Sequence, residues 1–471
     1  MKCKRFGFCD SLWHARINLG EKGVLVMRTF TGGISLSPPL KMLKEKLMIE
    51  QDEILTFSPT MVFIPLAQHI GAPVEPIVSV GDYVKQGQVI AESDAFVSAK
   101  IHASVSGKIV DMVDWPNQNN EEGKTIIIEN DYAYQNDFLS APFDWQSAAN
   151  ETILNKIRQG GVAGKGGATF PTHVKFSIDE TKKIHTLILN GSECEPFLRS
   201  DAFLMQKEAQ KIIHGAKIAQ KLLDGPKIII GIEDDKPRAI SAMQAASAED
   251  DTIEVVTVPT VYPTGGEKQL VELLTDQEVP LGGLTADIGI VLINVATSFA
   301  IGEAVCYDKP LIERYTTVTG DVQNPCIVKN PLGTLAGELI DFAGGFQGAP
   351  SKLILGGPMM GKSVKTLKVP VTKGSNGIVV FNEETDWLYA ENPCIRCNKC
   401  VEACPMRLMP MEIDQFYRAG DYQKCEELLA EACINCGACT FVCPAKRSLA
   451  ANITAAKGKV AQLQKEAKES A

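Results

Sequence analysis

Two cysteine strings lie near the end of the chain, CIRCNKCVEACP from Cys394 to Pro405 and CINCGACTFVCP from Cys433 to Pro444. Each reads C-x2-C-x2-C-x3-C-P, the spacing that suits a [4Fe–4S] cluster. Three closely spaced thiolates can cap three corners of one cubane. The fourth sits too far along to close on the same cube, so it ligates the cluster of the other run. On that logic Cys394, Cys397, Cys400 and Cys443 take cluster one, while Cys404, Cys433, Cys436 and Cys439 take cluster two. Paired C-x2-C also suits tetrahedral zinc, but two full four-cysteine runs, each closed by Pro, favour clusters. Two clusters linked in this way lie close together, which suits electron transfer. The rest of the chain must then say where the electrons come from and where they go.

With 471 residues, two to four domains are expected. The net charge of -10 and the lack of a basic stripe argue against nucleic acid. No apolar run reaches the ~18 residues of a membrane-spanning helix. The nearest, IGIVLINVATSFAIG from Ile288, is interrupted by Asn294, Thr297 and Ser298 and reads as a buried strand running into a loop. Residues 1–29 are basic without an apolar stretch, so they read as a poorly structured leader and not as a signal peptide, with Met27 an alternative start. Six cysteines lie outside the two runs (Cys3, Cys9, Cys194, Cys306, Cys326 and Cys425), scattered as reduced thiols in a cytoplasm would be.

Residues 30–135 are β-rich. The stretch VEPIVSVGDYVKQGQVIAESDAFVSAKIHASVSGKIVDMV alternates short β-branched runs with Gly turns and resembles the barrel-sandwich hybrid of biotinyl and lipoyl domains. Lys100 falls too late for a swinging-arm tip, so the module reads as structural. Over 150–312, HTLILN, PKIIIGIE, TIEVVTVPT and IGIVLIN read as strands alternating with amphipathic helices, an α/β domain. Residues 313–365 carry short strands, a Gly turn and a helix, and resemble the SLBB β-grasp module. Residues 366–391 read as a connector, 392–447 as a helical ferredoxin-like domain, and 448–471 as a C-terminal helix or tail.

A second motif stands in the α/β part, GGVAGKGGATFPTHVKF from Gly160 to Phe176. Its glycines expose backbone amides that can cradle an anion. It is no P-loop, since no Gly-Lys-Ser/Thr ends it, and no strand feeds it as a dinucleotide fingerprint requires. A Gly-rich loop alone is weak evidence. Its company adds weight: LILNGSECEPF (Leu187–Phe197), VYPTGGEKQL (Val261–Leu270) and LINVATSFAIGEA (Leu292–Ala304) follow in order.

This set resembles the flavin- and NADH-binding subunit of respiratory complex I. With both cysteine runs and the N-terminal barrel it resembles more closely the RnfC family, the C subunits of Rnf ferredoxin:NAD oxidoreductase complexes. The resemblance covers essentially Phe30 to the end. It implies a multidomain α/β plus β fold: barrel-sandwich hybrid, Rossmann-like FMN/NADH domain, SLBB module and helical ferredoxin-like domain. It implies two [4Fe–4S] clusters, FMN and NAD(H) as cofactors. Gly164, Gly166, Gly167 and Lys175 would hold the flavin phosphate and ring edge. Asn190, Glu193 and Asn294 would wall the pocket, and Tyr262, Gly265, Gly266 and Glu267 would lie beside flavin and nicotinamide, with Glu193 and Glu267 as candidate catalytic acids. Departures exist. Lys165 stands where complex I has Arg, Thr169 where it has Gly, Ser192 where it has Asp, and Gly266 where it has an acid; the opening stretch is TGGISLSPP, Thr31 to Pro39, where the family usually shows GGIHPP. Thr169 adds a Cβ where flavin approaches.

The resemblance further implies a peripheral subunit on the cytoplasmic side of a cell membrane. Its partners would be the other Rnf subunits, including a cluster-bearing one and integral membrane ones, with NADH and, through the complex, ferredoxin, and no nucleic acid. The complex would act as an ion-pumping translocase. Two alternatives stay open at this point: a related flavin/iron–sulfur corrinoid reductase of propanediol metabolism, and an electron-transfer scaffold without a dehydrogenase site. Taken singly, Glu193 reads equally as a salt-bridged acid and Tyr262 as a half-buried aromatic.

Overall fold

The computed structural model describes residues 30–35, 53–179, 181–386 and 390–470. The leader expected over 1–29 and the prolines of the opening stretch lie outside them. In the β-rich part, Met61–Pro65, Tyr83–Val84, Gly107–Pro116 and Glu122–Asn130 form one sheet, and Glu75–Pro76, Val89–Glu92 and Ile101–His102 form a second. Alternate β-branched side chains, Val62, Ile64, Ile90, Ile101, Ile109 and Ile128 among them, fill the space between the sheets. Lys100 is ion-paired to Glu92 at 2.5 Å, off any hairpin tip.

The second layer is a parallel sheet in the order Ile253–Val258, Lys227–Glu233, Thr186–Asn190, Ile290–Asn294. Its strands read as near-continuous apolar runs because helices cover both faces. Ile228, Ile230, Leu187 and Leu189 are all fully buried. From Thr186–Asn190 the next two strands step outward on one side, whereas Ile290–Asn294 returns to the other. The order therefore reverses between Asn190 and Asn294, the last residues of adjoining strands. In open α/β sheets, ligands bind in the crevice beyond such a reversal.

One sequence expectation is corrected here. The stretch after Asn294 is a helix, Val295–Tyr307, and not a loop. The polar residues that interrupt the apolar run organise it: the Asn294 side chain caps it by accepting from Ala296 N, Thr297 Oγ1 accepts from Lys165 N, and Ser298 Oγ donates to Ile212 O. Gly215 lets the helix Ala209–Leu222 press against it, since a Cβ there would lie 1.8 Å from the Ser298 carbonyl oxygen.

The third layer is a six-stranded sheet. Glu313–Gly320, Cys326–Pro331, Pro350–Leu355 and Lys362–Val364 come from the region read as SLBB, but Ile54–Thr56 joins one side and Gly377–Asn382 lies inside. The segment 366–391 is thus more than a connector. Its strand pairs with Glu313–Gly320 on one side and Pro350–Leu355 on the other, and these partners are too distant in sequence to leave a local signal. Past it, short helices carry the cysteine runs. Buried Asp414 joins them to the long helix Leu449–Ser470, accepting from Arg418, Arg447 and Asn452.

Candidate functional site

The glycine loop sits over the reversal point. Its neck is closed by Gly164 N donating to Phe170 O at 2.9 Å. Beyond the neck, Gly166, Gly167 and Ala168 are exposed, and none of their amides finds an acceptor among the described residues. A Cβ on Gly166 would lie 3.5 Å from the Asn294 Cβ, which places the loop against the end of the strand Ile290–Asn294. Gly167 takes φ +108, and a Cβ there would meet nothing within 4 Å. The loop therefore presents a run of free amides to open space. Thr169 has a positive φ of 48. A Cβ on Gly374 would lie 2.6 Å from its Cγ2, so its methyl group is turned to that backing turn.

The motifs marked Lys165 only as a departure from the complex I pattern and did not place it among the residues expected to hold the flavin. Its backbone amide is held by Thr297 Oγ1 at 2.9 Å, and its side chain is buried, with the ammonium 6.0 Å from the centre of the Phe299 ring. The ammonium makes no hydrogen bond or ion pair among the described residues. Burial, then the charge of Arg314, pull its pKa down to about 7. A largely buried lysine whose ammonium has no hydrogen-bond partner, next in sequence to the exposed loop amides, fits a phosphate group. The signal was a lysine inside the glycine run; its burial could not be read locally.

The remaining candidates divide. Asn190 accepts from Ser192 N and donates to Gly265 O at 2.8 Å, so it ties the first strand to the Tyr262–Glu267 segment. Asn294 donates to Asp201 Oδ2 at 2.6 Å. Asn190, Asn294, the loop glycines and Gly265 thus come together. Glu193 is half-buried close by, but both its oxygens are engaged: they accept from Ser200 Oγ, Asp201 N and Ala202 N at 3.1 Å each, at the start of the helix Ser200–Lys207. Burial and the nearby Asp201 charge push its carboxyl up to about 7. Lys175 donates to Leu292 O at 2.5 Å and to Glu267 at 3.2 Å, at the partly exposed rim. Gly266 caps the helix Glu267–Thr275.

Tyr262 points elsewhere. Its hydroxyl donates to the Cys436 carbonyl at 2.6 Å, and its backbone pairs with Ile34. The structure gathers Cys394, Cys397, Cys400 and Cys443 around one cavity, and Cys404, Cys433, Cys436 and Cys439 around another. Each cavity thus draws three thiols from one run and one from the other. The second abuts the α/β domain. It also meets two other parts of the chain: Gly33 N, from the N-terminal region, donates to Ala403 O, and Gly437 lies against Met359 of the region read as SLBB, where a Cβ would be 2.8 Å from its carbonyl oxygen. The first faces outward: Cys394 and Cys397 are exposed, as is Ile395. Glu195, which the motifs did not single out, joins the α/β domain to the region read as SLBB. Its carboxylate accepts from Met359 N at 3.0 Å and Met360 N at 2.7 Å, and burial pushes it up to about 7.

Four family models match in chain order: the RnfC barrel sandwich hybrid domain over 28–133, the Nuo51 FMN-binding domain over 157–303, the SLBB domain over 315–363 and the 4Fe-4S dicluster domain over 393–447. The chain is 43% identical over 404 residues to the C subunit of the proton-translocating ferredoxin:NAD(+) oxidoreductase complex of Clostridium ljungdahlii, covering 85% of this chain and 87% of that one. It is 40% identical to the C subunit of the Na(+)-translocating ferredoxin:NAD(+) oxidoreductase complex of Acetobacterium woodii, over 85% and 91% of the two chains. To the C subunit of the ion-translocating oxidoreductase complex of Pseudomonas aeruginosa it is 39% identical, over 86% of this chain and 52% of that one.

Proposed function

The chain belongs to the RnfC family, the C subunits of ion-translocating ferredoxin:NAD+ oxidoreductase complexes, and from that premise we propose that it exchanges electrons between NAD(H), FMN and two [4Fe–4S] clusters. When bound, FMN supplies the conversion between two-electron hydride chemistry and the one-electron chemistry of clusters. The chain's residues divide that task. The amides of Gly166 and Gly167, the neck at Gly164 and the buried Lys165 ammonium hold the phosphate. Asn190 and Asn294 wall the crevice. Lys175 and Glu267, at the rim, orient the ring edge and nicotinamide. Glu193 seats Asp201 and the helix behind Asn294, so its part is positioning.

The observation that carries this reading is the bond from Tyr262 to the Cys436 carbonyl. It sets the Cys404, Cys433, Cys436 and Cys439 site against the nucleotide domain, while the Cys394, Cys397, Cys400 and Cys443 site faces outward. That order suits a conduit with its inner end at the flavin crevice and its outer end at a cluster-bearing partner in the complex. No helix among the described residues is long and apolar enough to cross a membrane. The reading assigns ion translocation to integral membrane partners, and this chain to their cytoplasmic side.

The similarity to named complex subunits over most of both chains favours this reading over a corrinoid reductase. Anaerobic NADH titration of the purified protein tests it. Bleaching of the bound flavin followed by cluster reduction is expected. Flavin that stays oxidised under excess NADH would leave only an electron-transfer scaffold.

A further inference from the structure

The glycine loop is shaped from outside its own domain. Arg314 belongs to Glu313–Gly320 of the six-stranded sheet and is 1% exposed. Its Nε donates to Ser375 O at 2.6 Å, and its Nη2 makes a long contact of 3.4 Å to Lys165 O. Its Nη1 is buried and has no acceptor. In a trans peptide the C=O of one residue and the N–H of the next point in opposite directions. A guanidinium that holds the Lys165 carbonyl from behind therefore turns the Gly166 N–H to the open side. Thr297 fixes the other end of the same residue through Lys165 N at 2.9 Å.

The turn that supplies Ser375 backs the loop as well. Lys373 Nζ donates to Gly161 O at 2.8 Å, just before the neck, and the Thr169 methyl packs on Gly374. The loop's stem, its Lys165 carbonyl and its far side are thus all supported from one end of this sheet, where the parallel strands Glu313–Gly320 and Gly377–Asn382 begin. The free amides stand on the side that remains open.

We propose that Arg314 is the positioning residue that makes the Gly164–Thr169 loop selective for a phosphate, and so for FMN over the phosphate-free riboflavin. This rests on the reading that the loop receives the flavin phosphate. Without the guanidinium, the Lys165 carbonyl is free to rotate and the Gly166 amide loses its fixed direction. The crevice at Asn190 and Asn294, which would take the ring, is untouched.

The test uses the full chain with clusters intact and flavin removed, titrated separately with FMN and riboflavin by fluorescence quenching. Iron content and circular dichroism verify each variant. Wild type is expected to bind FMN more tightly than riboflavin. Arg314→Gln should weaken FMN by about tenfold or more and riboflavin hardly at all, so that the preference collapses. A variant that keeps the wild-type preference, or loses both ligands in equal proportion, overturns the proposal. If Arg314→Gln does not fold, Arg314→Lys decides. It keeps the charge but lacks the planar fork that reaches two carbonyls, so the preference should shrink, and an unchanged preference overturns the proposal. A wild-type protein that binds both flavins equally would instead overturn the reading of the loop as a phosphate site.

Discussion

Tyr262 and Cys436 are joined by a hydrogen bond of 2.6 Å from the phenolic hydroxyl to the backbone carbonyl, in a place where Tyr262 is only 3% exposed. A residue expected to line the flavin crevice thus serves as the contact between that domain and the second cysteine run. Tyr262→Phe leaves a buried carbonyl without its donor, a loss of about 1–3 kcal/mol. Flavin content should be unchanged. Electron passage from reduced flavin to the clusters should slow, as followed by rapid-mixing absorbance. Unaltered transfer would mean the contact is incidental.

The two cavities make crossed ligation testable one thiol at a time. Cys443→Ala should damage the cluster held by Cys394, Cys397 and Cys400, and leave the one at Cys404, Cys433, Cys436 and Cys439 largely intact. Electron paramagnetic resonance with iron analysis separates the two. Loss of the inner cluster in place of the outer one would reverse the assignment.

Lys165 should make flavin binding depend on pH. Its folded pKa of about 7 lies below the ordinary lysine value, so above pH 7 the flavin-free protein increasingly holds it neutral. For stability, the unfolded chain then binds more protons, and this group's contribution rises with pH from about 7 to its ordinary range. A phosphate favours the ammonium, so FMN affinity should fall as pH rises past 7, by up to about tenfold per unit for one proton. Glu193, raised to about 7, ionises over the same range and acts in the same direction. Lys165→Met should weaken FMN and reduce the slope of log affinity against pH by about one proton. An unchanged slope would show that Lys165 does not face the anion.

How far the sequence disclosed this site depends on the range of the interactions. The four parallel strands and both cysteine runs were legible because apolar patterning and cysteine spacing are local. The burial of Lys165 was not, because it follows from Thr297, Phe299 and Arg314, all more than a hundred positions away. Asn294, Thr297 and Ser298 misled in an instructive way. Their polarity looked like a loop, yet it is what caps and seats the helix Val295–Tyr307. Arg314 and the strand Gly377–Asn382 gave no motif, since their importance lies in what the six-stranded sheet brings beside the loop.

Glu267 is 48% exposed and paired with Lys175 at 3.2 Å. A pair this exposed contributes only about 0–1 kcal/mol to stability. Glu267→Gln should therefore keep its fold, its clusters and most of its flavin. If the carboxylate orients nicotinamide, NADH:ferricyanide turnover should fall by about tenfold or more. Equal loss of flavin and turnover would move Glu267 from the nicotinamide to the flavin itself.

The three loop glycines should respond differently to an added methyl group, because only one has a backbone that requires glycine. At Gly164 a Cβ would lie 3.6 Å from Phe170 backbone atoms, and at Gly166 it would lie 3.5 Å from Asn294 Cβ, both ordinary contacts without a positive φ. At Gly167 the Cβ would meet no protein atom, but φ +108 is a conformation that side chains rarely adopt, at a cost of about 1–3 kcal/mol. The methyl group would also project into the open space before the free amides. Gly164→Ala should hence retain FMN, while Gly167→Val should lose it and still carry both clusters, whose cysteines lie in a separate domain. Flavin and iron per chain, measured together, check this. A Gly167→Val protein with full FMN would make the loop a structural turn, and a Gly164→Ala protein stripped of flavin would show that the neck, not the amide run, governs binding.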